Sequence, residues 1–378
     1  MSNQNFLLTL MVGPAVPVPV PQVVLDALVG VRVTTTSEAN QPSVFELTFT
    51  LSNRSPLHTL FLLAGGSLPP VIRVILVVTI GGRPEVLIDG VVTEQHVSPG
   101  ATAGQSTLTV KGSDLSALMD LIPFDGLPYP AMPAEAQVAL ILAKYAVFGI
   151  IPLVIPSLLI DVPLPTQRIP RHKNTDLSHI RKLAANVGYV FYLKPGPAPG
   201  VNIAYWGPQI KIGIPQPALN TDMDAQTNVE ALSFNFNAEA PVLPILMIQN
   251  QESKIAIPIP VPDIGPLNPP LGAVPPIPKK IKKIKTTAKF NAIRAALLGL
   301  ARASRSADAV TGEGTLDVLR YGRPLRAREL VGVRGAGLAF DGLHFVKSVT
   351  HDIKRGEYKQ SFSLTRNGLI STVPRVPV

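Results

Sequence analysis

The chain has 378 residues, 46% of them apolar and 16% charged, with 39 Pro, 29 Gly and no Cys. Length allows about two to four domains, the absence of Cys excludes disulfides, Cys-ligated zinc, iron–sulfur clusters and thiol catalysis, and a composition this apolar and rich in Pro excludes disorder and a helix bundle. The net charge of +9 is uneven: residues 279–378 hold 20 Lys and Arg against 7 Asp and Glu, and residues 1–278 hold 14 against 18.

Phe6–Val12 is apolar, but no Lys or Arg precedes it and Pro14, Pro17, Pro19 and Pro21 follow, so it does not read as a secretory signal. Residues 14–21 alternate Pro with Val or Ala, and residues 1–22 are expected to form an extended N-terminal arm. Strand signals begin with the β-branched run Val23–Thr36. In Ser43–Ser52, Phe45, Leu47, Phe49 and Leu51 alternate with polar residues. Val71–Ile80 is nearly all apolar, which predicts a strand buried on both faces. It carries Arg73 and is too short to span a membrane. Gly81-Gly82 predicts a tight turn into Glu85–Val97, and Ser106–Lys111 completes a five-stranded barrel or sandwich over residues 23–112.

The pattern changes at Gly112, and residues 113–227 read as a mixed α/β domain. Ser113 can cap a short helix carrying Leu115, Leu118, Met119 and Ile122. Ala134–Phe148 has helical spacing, and a Pro-studded connection runs on to Pro170. The best-punctuated helix is Asp176–Val187, with Thr175 or Asp176 as its cap. Its apolar stripe is Leu177, Ile180, Leu183, Ala184 and Val187, and Gly188 stands just past its end. Tyr189–Lys194 and Val201–Trp206 flank a Pro/Gly turn and predict a hairpin under this helix.

Residues 228–378 form a second β region. Glu230–Ala238 alternates, and Pro241–Gln249 is more apolar. Residues 257–278 (IPIPVPDIGPLNPPLGAVPPIP) cannot hold a helix or a central strand and belong to an insert spanning 253–287. A helix over 288–303, apolar almost all round, is expected to be buried. Leu316–Tyr321, Leu330–Arg334, Leu343–His351 and Glu357–Thr365 are the remaining strands, with turns at Asp341-Gly342 and Arg355-Gly356.

Chemistry-bearing patterns are sparse. His58, His96, His172, His179, His344 and His351 show no metal-ligand spacing and read as exposed or singly satisfied. His344 and His351, seven apart on one strand, should point to opposite faces. HExxH, GxSxG and GxxxxGK[ST] are missing, and Gly335-Ala336-Gly337 lies between two β segments as a turn. Asp120, Asp125, Asp161 and Asp176 read as loop and cap residues, and Trp206 as hairpin packing. No catalytic, cofactor-binding or metal-binding residue is assigned, and no cofactor is expected. The run Lys279, Lys280, Lys282, Lys283 and Lys285 fits a phosphate or anionic-lipid patch, a solvated stretch, or a contact for an acidic protein partner. No aromatic residue interleaves with it, which argues against single-stranded nucleic acid.

Three stretches carry a family resemblance: Asn174–Leu193 (NTDLSHIRKLAANVGYVFYL), Phe340–Leu369 (FDGLHFVKSVTHDIKRGEYKQSFSLTRNGL) and Val110–Leu118 (VKGSDLSAL). In order and spacing they resemble the hub proteins of contractile tails, namely the phage late-control D protein and the hub part of the type VI secretion spike. The resemblance implies a β-rich α+β fold in which two tail-tube-like antiparallel β-barrels, residues 23–112 and 228–378, are joined by the mixed α/β region. It implies a non-enzymatic homotrimer that adapts a threefold spike to a hexameric inner tube and seeds tube assembly. The implied partners are the inner tube protein, a separate spike protein, and baseplate wedge and LysM-type baseplate proteins; neither nucleic acid nor membrane insertion is expected. Assembly would be cytoplasmic, within a phage-like particle that is released or membrane-anchored. No OB domain or β-helix follows the second barrel, which is why the spike is expected to be separate. The Pro-rich insert and Lys run have no counterpart in the family and are expected to lie on a neighbouring subunit. Two other readings are a hub that also cleaves peptidoglycan and a polysaccharide-binding β protein.

Overall fold

A computed structural model describes the chain except residues 1, 4–5, 15, 40, 53–54, 58–59, 62–70, 101–105, 158–164, 167–168, 240–241, 250–255, 261–268, 278–279, 285–307 and 374–378. The first region holds β1 (Ser2–Asn3), β2 (Phe6–Gly13), β3 (Val18–Pro19), α1 (Gln22–Ala27), β4 (Leu28–Thr36), β5 (Val44–Leu51), β6 (Arg73–Ile80), β7 (Arg83–Ser98) and β8 (Ser106–Asp114). The expected N-terminal arm is instead part of the sheet. β2 pairs antiparallel with β6 from Phe6 opposite Ile80 to Gly13 opposite Arg73, and β3 folds back on the end of β2. The reason is an alternation hidden by apolar neighbours: Phe6, Leu8, Leu10 and Val12 face the core, while Leu7 is exposed. The expected strand from Val23 also starts later, because one helical turn and a half comes first. Pro21 stands at its N-cap, and Val24 and Leu28, four apart, are both buried. Packing overrides the β preference of valine here. As expected, Phe45, Leu47, Phe49 and Leu51 of β5 are buried, and β6 is buried on both faces from Arg73 to Val78. Each such apolar burial contributes about 1.5–3 kcal/mol.

The middle region holds α2 (Ala134–Ala143), β9 (Ile150–Val154), α3 (Asp176–Val187), β10 (Val190–Pro195) and β11 (Asn202–Gly207). Asp114, not Ser113, caps the short 3-10 helix Leu115–Asp120, accepting from the Ser116 N–H. α2 ends at Ala143, earlier than its apolar spacing suggests, and a 3-10 turn covers Ala146–Phe148. α3 has the expected limits: Thr175 Oγ1 accepts from Ser178 N at 3.2 Å, and Gly188 closes it at φ +79°. β10 and β11 form the expected hairpin, and β9 adds to β11 in parallel. Val138, Ile141, Leu142, Ile180, Ala184 and Trp206 make the core between helices and sheet.

The last region holds β12 (Gln216–Asn220), β13 (Ala231–Phe236), β14 (Val242–Gln249), β15 (Ala256–Pro260), β16 (Gly272–Val274), β17 (Lys280–Ile284), β18 (Val310–Asp317), α4 (Val318–Tyr321), β19 (Leu330–Arg334), β20 (Gly342–Lys354), β21 (Glu357–Arg366) and β22 (Leu369–Ser371). The strand expected over 316–321 starts earlier and ends at Asp317, whose carboxylate accepts from Leu319 N and Arg320 N and starts α4. The start of the Pro-rich insert is the edge strand β15 of a small sheet in the order β15-β14-β17, a position where Pro is tolerated.

The two β regions are fused. β4 pairs with β20 from Ser348 opposite Thr36 to Lys354 opposite Gly30, giving one large sheet in the order β1-β2-β6-β7-β8-β5-β4-β20-β21-β18-β13. Every pairing along this path is antiparallel. Six strands separate β2 from β21 in that order, yet the rings of Phe6 and Tyr358 lie 5.6 Å apart. The sheet therefore curls around one core that draws on both regions, from Leu8 and Leu47 to Val349 and Phe362.

Candidate functional site

Two buried polar joints position the regions. At the first, Arg73 of β6 makes a two-pronged ion pair with Asp89 of β7, with N–O distances of 2.7 and 2.6 Å. Asn202 of β11 donates to the same carboxylate at 2.7 Å, and Arg73 donates to the Gly200 carbonyl at 3.1 Å. This locks the first β region onto the hairpin. At the second, the hairpin meets the segment before β19. Tyr192 stacks on Tyr205 at 4.9 Å, and the Arg328 guanidinium lies 4.1 Å from the Tyr192 ring centre. Arg328 holds a left-handed φ of +69°, fixed by Arg328 N donating to Val346 O and Val346 N donating to Glu329 O, each at 2.9 Å.

Two clefts share Tyr192, Arg328 and Glu329 as a wall. One, of about 340 Å³, is lined by Ile210, Ile212, Ile214, Leu330 and Phe345. The other, of about 420 Å³, is lined by Glu85, Lys194, Arg326 and His351, with Glu85 and Arg326 paired at 2.7 Å. Among the described residues the Arg328 guanidinium has no hydrogen-bond acceptor and no ion-pair partner, and its Nε is buried. Burial lowers its pKa from the ordinary arginine value. These residues come from positions about 190, 210 and 328, so no local motif announces them.

The stretches that resemble tail hubs act as supports. In Asn174–Leu193, Thr175 is the cap, and Asp176, read as a loop or cap residue, is fully buried in the first turn of α3. It accepts from Tyr145 Oη at 2.8 Å and pairs with Lys144 at 2.5 Å, and its Oδ1 lies 3.4 Å from His172 Nε2. His172 stacks on His179 at 4.3 Å and bonds Tyr129 Oη at 2.8 Å. Burial and the neighbouring His172 pull the His179 pKa down to about 4, and burial beside Asp176 raises that of Tyr145. Both histidines are thus buried partners, against the expectation of exposed or singly satisfied groups. The spacing of residues 172, 176 and 179 was the available signal. With the Asp176 carboxylate wholly enclosed, the cluster has the build of a brace, not of a site open to substrate.

In Phe340–Leu369, buried Arg366 donates to the carbonyls of Ala339, Asp341 and Gly368 and clamps the turn before β20. His351 Nδ1 lies 2.7 Å from Tyr358 Oη and 3.2 Å from Gln360 Nε2. Gln360 in turn holds Leu325 N and O. Asn367 Oδ1 accepts from Leu271 N and Gly272 N, pinning the middle of the insert. His344 and His351 are both buried, not split between two faces, because a bulge between Val346 and Ser348 shifts the alternation. Their pKa values fall to about 3 and about 4 through burial.

Of the Lys run, Lys280, Lys282 and Lys283 lie on β17, which runs parallel to β14. Lys279, Lys285, Asp161, His58 and the expected helix over 288–303 lie outside the described residues. Asp120 accepts from Thr175 Oγ1 and Asp125 from Asn174 N, as loop and cap residues do. Trp206 is fully buried with Tyr189 edge-on at 4.9 Å. Among the described residues no three His, Cys, Asp or Glu gather as a metal site, and no helix is long and apolar enough to cross a membrane.

No protein-family model and no curated protein matches the chain. Solved structures match it over nearly its whole length. A tail protein from Neisseria meningitidis MC58 superposes with TM-score 0.62 at 13% identity, covering 97% of this chain and 98% of that one. The 43 kDa tail protein of prophage MuSo2 from Shewanella oneidensis gives TM-score 0.62 at 16% identity, with 96% and 98% covered. An E. coli component of the type VI secretion system gives 0.51 at 11% identity, with 93% and 78% covered. The fold is thus that of phage tail proteins. It is shared with type VI secretion proteins and agrees with the hub-like resemblance of the three sequence stretches.

Proposed function

We propose that this chain is a structural, non-enzymatic hub in the baseplate of a phage-like contractile injection system. The observation that carries the reading is the end-to-end match to whole tail proteins, with 97% of this chain and 98% of the Neisseria protein superposed. In this reading each half of the fused sheet serves as a tube-like barrel, residues 23–112 and 228–378, held in register by the β4–β20 ladder. Three copies present six such units to the hexameric inner tube and hold a separate threefold spike below. β13, at the end of the large sheet with β18 as its one partner among the described residues, offers an edge for strand addition. The insert over 253–287, with Lys279, Lys280, Lys282, Lys283 and Lys285, lies on an acidic baseplate or tube neighbour. Assembly takes place in the cytoplasm, before the particle is released or anchored.

The reading is tested by polymerising purified inner tube protein with and without the chain. A shortened lag and tubes labelled at one end by tagged chain are expected. An unchanged lag with unlabelled tube ends would overturn the seeding role.

A further inference from the structure

Among the described residues Arg328 has no ion-pair partner, and its buried Nε has no hydrogen-bond acceptor. Its guanidinium lies over the Tyr192 ring, 4.1 Å from the ring centre, and carries five N–H donors suited to a carboxylate. Among the described residues the nearby acids make no ion pair with it. Asp114, whose charge acts on Arg328, accepts from Ser43 N and Ser116 N at 2.7 and 3.0 Å. Glu329 lines the same cleft, and burial raises its pKa against the opposing fields of Arg326 and Lys194, while Asp308 pairs with Lys211 at 2.9 Å. The cleft beside Arg328 combines an apolar side, with Val190, Leu330 and three isoleucines, and a polar side, with Ser37, Gln209 and Glu329. Ile210, Ile212 and Ile214 alternate along one stretch of chain and are 38%, 45% and 94% exposed, with Phe345 buried behind them. A small free anion has no use for such a wall, whereas exposed apolar side chains beside an unpaired cation suit a docked peptide segment.

We propose that the cleft formed by Ile212, Ile214, Phe345 and Arg328 docks an extended segment of a partner protein in which branched apolar residues flank an Asp or Glu, with the carboxylate seated on the Arg328 guanidinium. The proposal goes beyond the hub reading and stands apart from it, since tube seeding does not enter its test.

The test is selection of a random-sequence displayed peptide library on the full chain, followed by fluorescence anisotropy with the enriched peptide. Enriched sequences should carry Asp or Glu between Ile, Leu or Val. The Asn or Gln analogue of the enriched peptide should bind at least about tenfold more weakly. Arg328→Gln should abolish that difference, and Arg328→Lys should retain part of it. Ile214→Asp, at a position too exposed to disturb the fold, should weaken the acidic peptide most. No enrichment above a protein-free support, or equal binding of acidic and amide peptides, would overturn the proposal. Binding of inorganic phosphate that is lost in Arg328→Gln, with no peptide enriched, would also overturn it and assign the cleft to a small anion.

Discussion

Val33 of β4 stands opposite His351 of β20 in the ladder that fuses the two β regions. His351 is buried and bonds Tyr358, whose ring meets Phe6 of β2 at the far side of the core. One histidine therefore ties the seam between the regions to the curl of the sheet.

That placement makes stability depend on acid. His179 and His351 have folded pKa values of about 4, and His344 of about 3, all below the ordinary 6.5. The unfolded chain takes up these protons first, so stability is full above about pH 6.5 and falls as the pH drops toward 4. His351 alone contributes up to about 3 kcal/mol to the loss. Urea titrations at neutral and acidic pH should show the decline, and His351→Gln should flatten it. A pH-independent midpoint would contradict the burial of these rings.

The Arg73–Asp89 pair should behave as a buried ion pair that is costly to break by halves. Asp89→Ala removes both prongs of the pair and should cost about 3–5 kcal/mol of unfolding free energy in urea titrations. Replacing both, Arg73→Met with Asp89→Leu, should recover much of that loss. Equal losses in the single and double variants would show that the pair is not what holds the joint.

Much of this fold is legible in the sequence where local signals agree with packing. α3 has a Thr cap, an apolar stripe and a closing glycine, and its limits follow. β5 alternates cleanly and buries the expected side. β2 was hidden because Leu7 and Met11 blur its alternation, and α1 because valine favours strands while its helical spacing is set by the core. The clefts around Arg328 were not legible at all, since their residues meet only through the fusion of distant regions.

Gly112 tests the crossing of β8 over Phe45. A Cβ there would lie 2.2 Å from Val91 O and 2.3 Å from Phe45 Cζ. Gly112→Ala should destabilise by about 1–3 kcal/mol or more through forced backbone shifts. Gly30→Ala, where the nearest atom is at 4.0 Å, should cost much less. Thermal melts of the two variants compare them directly, and equal losses would contradict the close approach.

Arg366→Lys should loosen the turn that the guanidinium clamps, because one ammonium cannot reach the same three carbonyls in that geometry. The expected loss is about 1–3 kcal/mol, with faster amide exchange confined to the neighbourhood of residues 336–342. Exchange unchanged at those residues would count against the clamp.

The hub account is tested most directly by cryo-electron microscopy of the particle that contains this chain. The account predicts three copies at the base of the inner tube, each placing two sheet-derived units under the first tube ring. Density for the chain away from the tube base, or a copy number that does not match threefold symmetry, would contradict it.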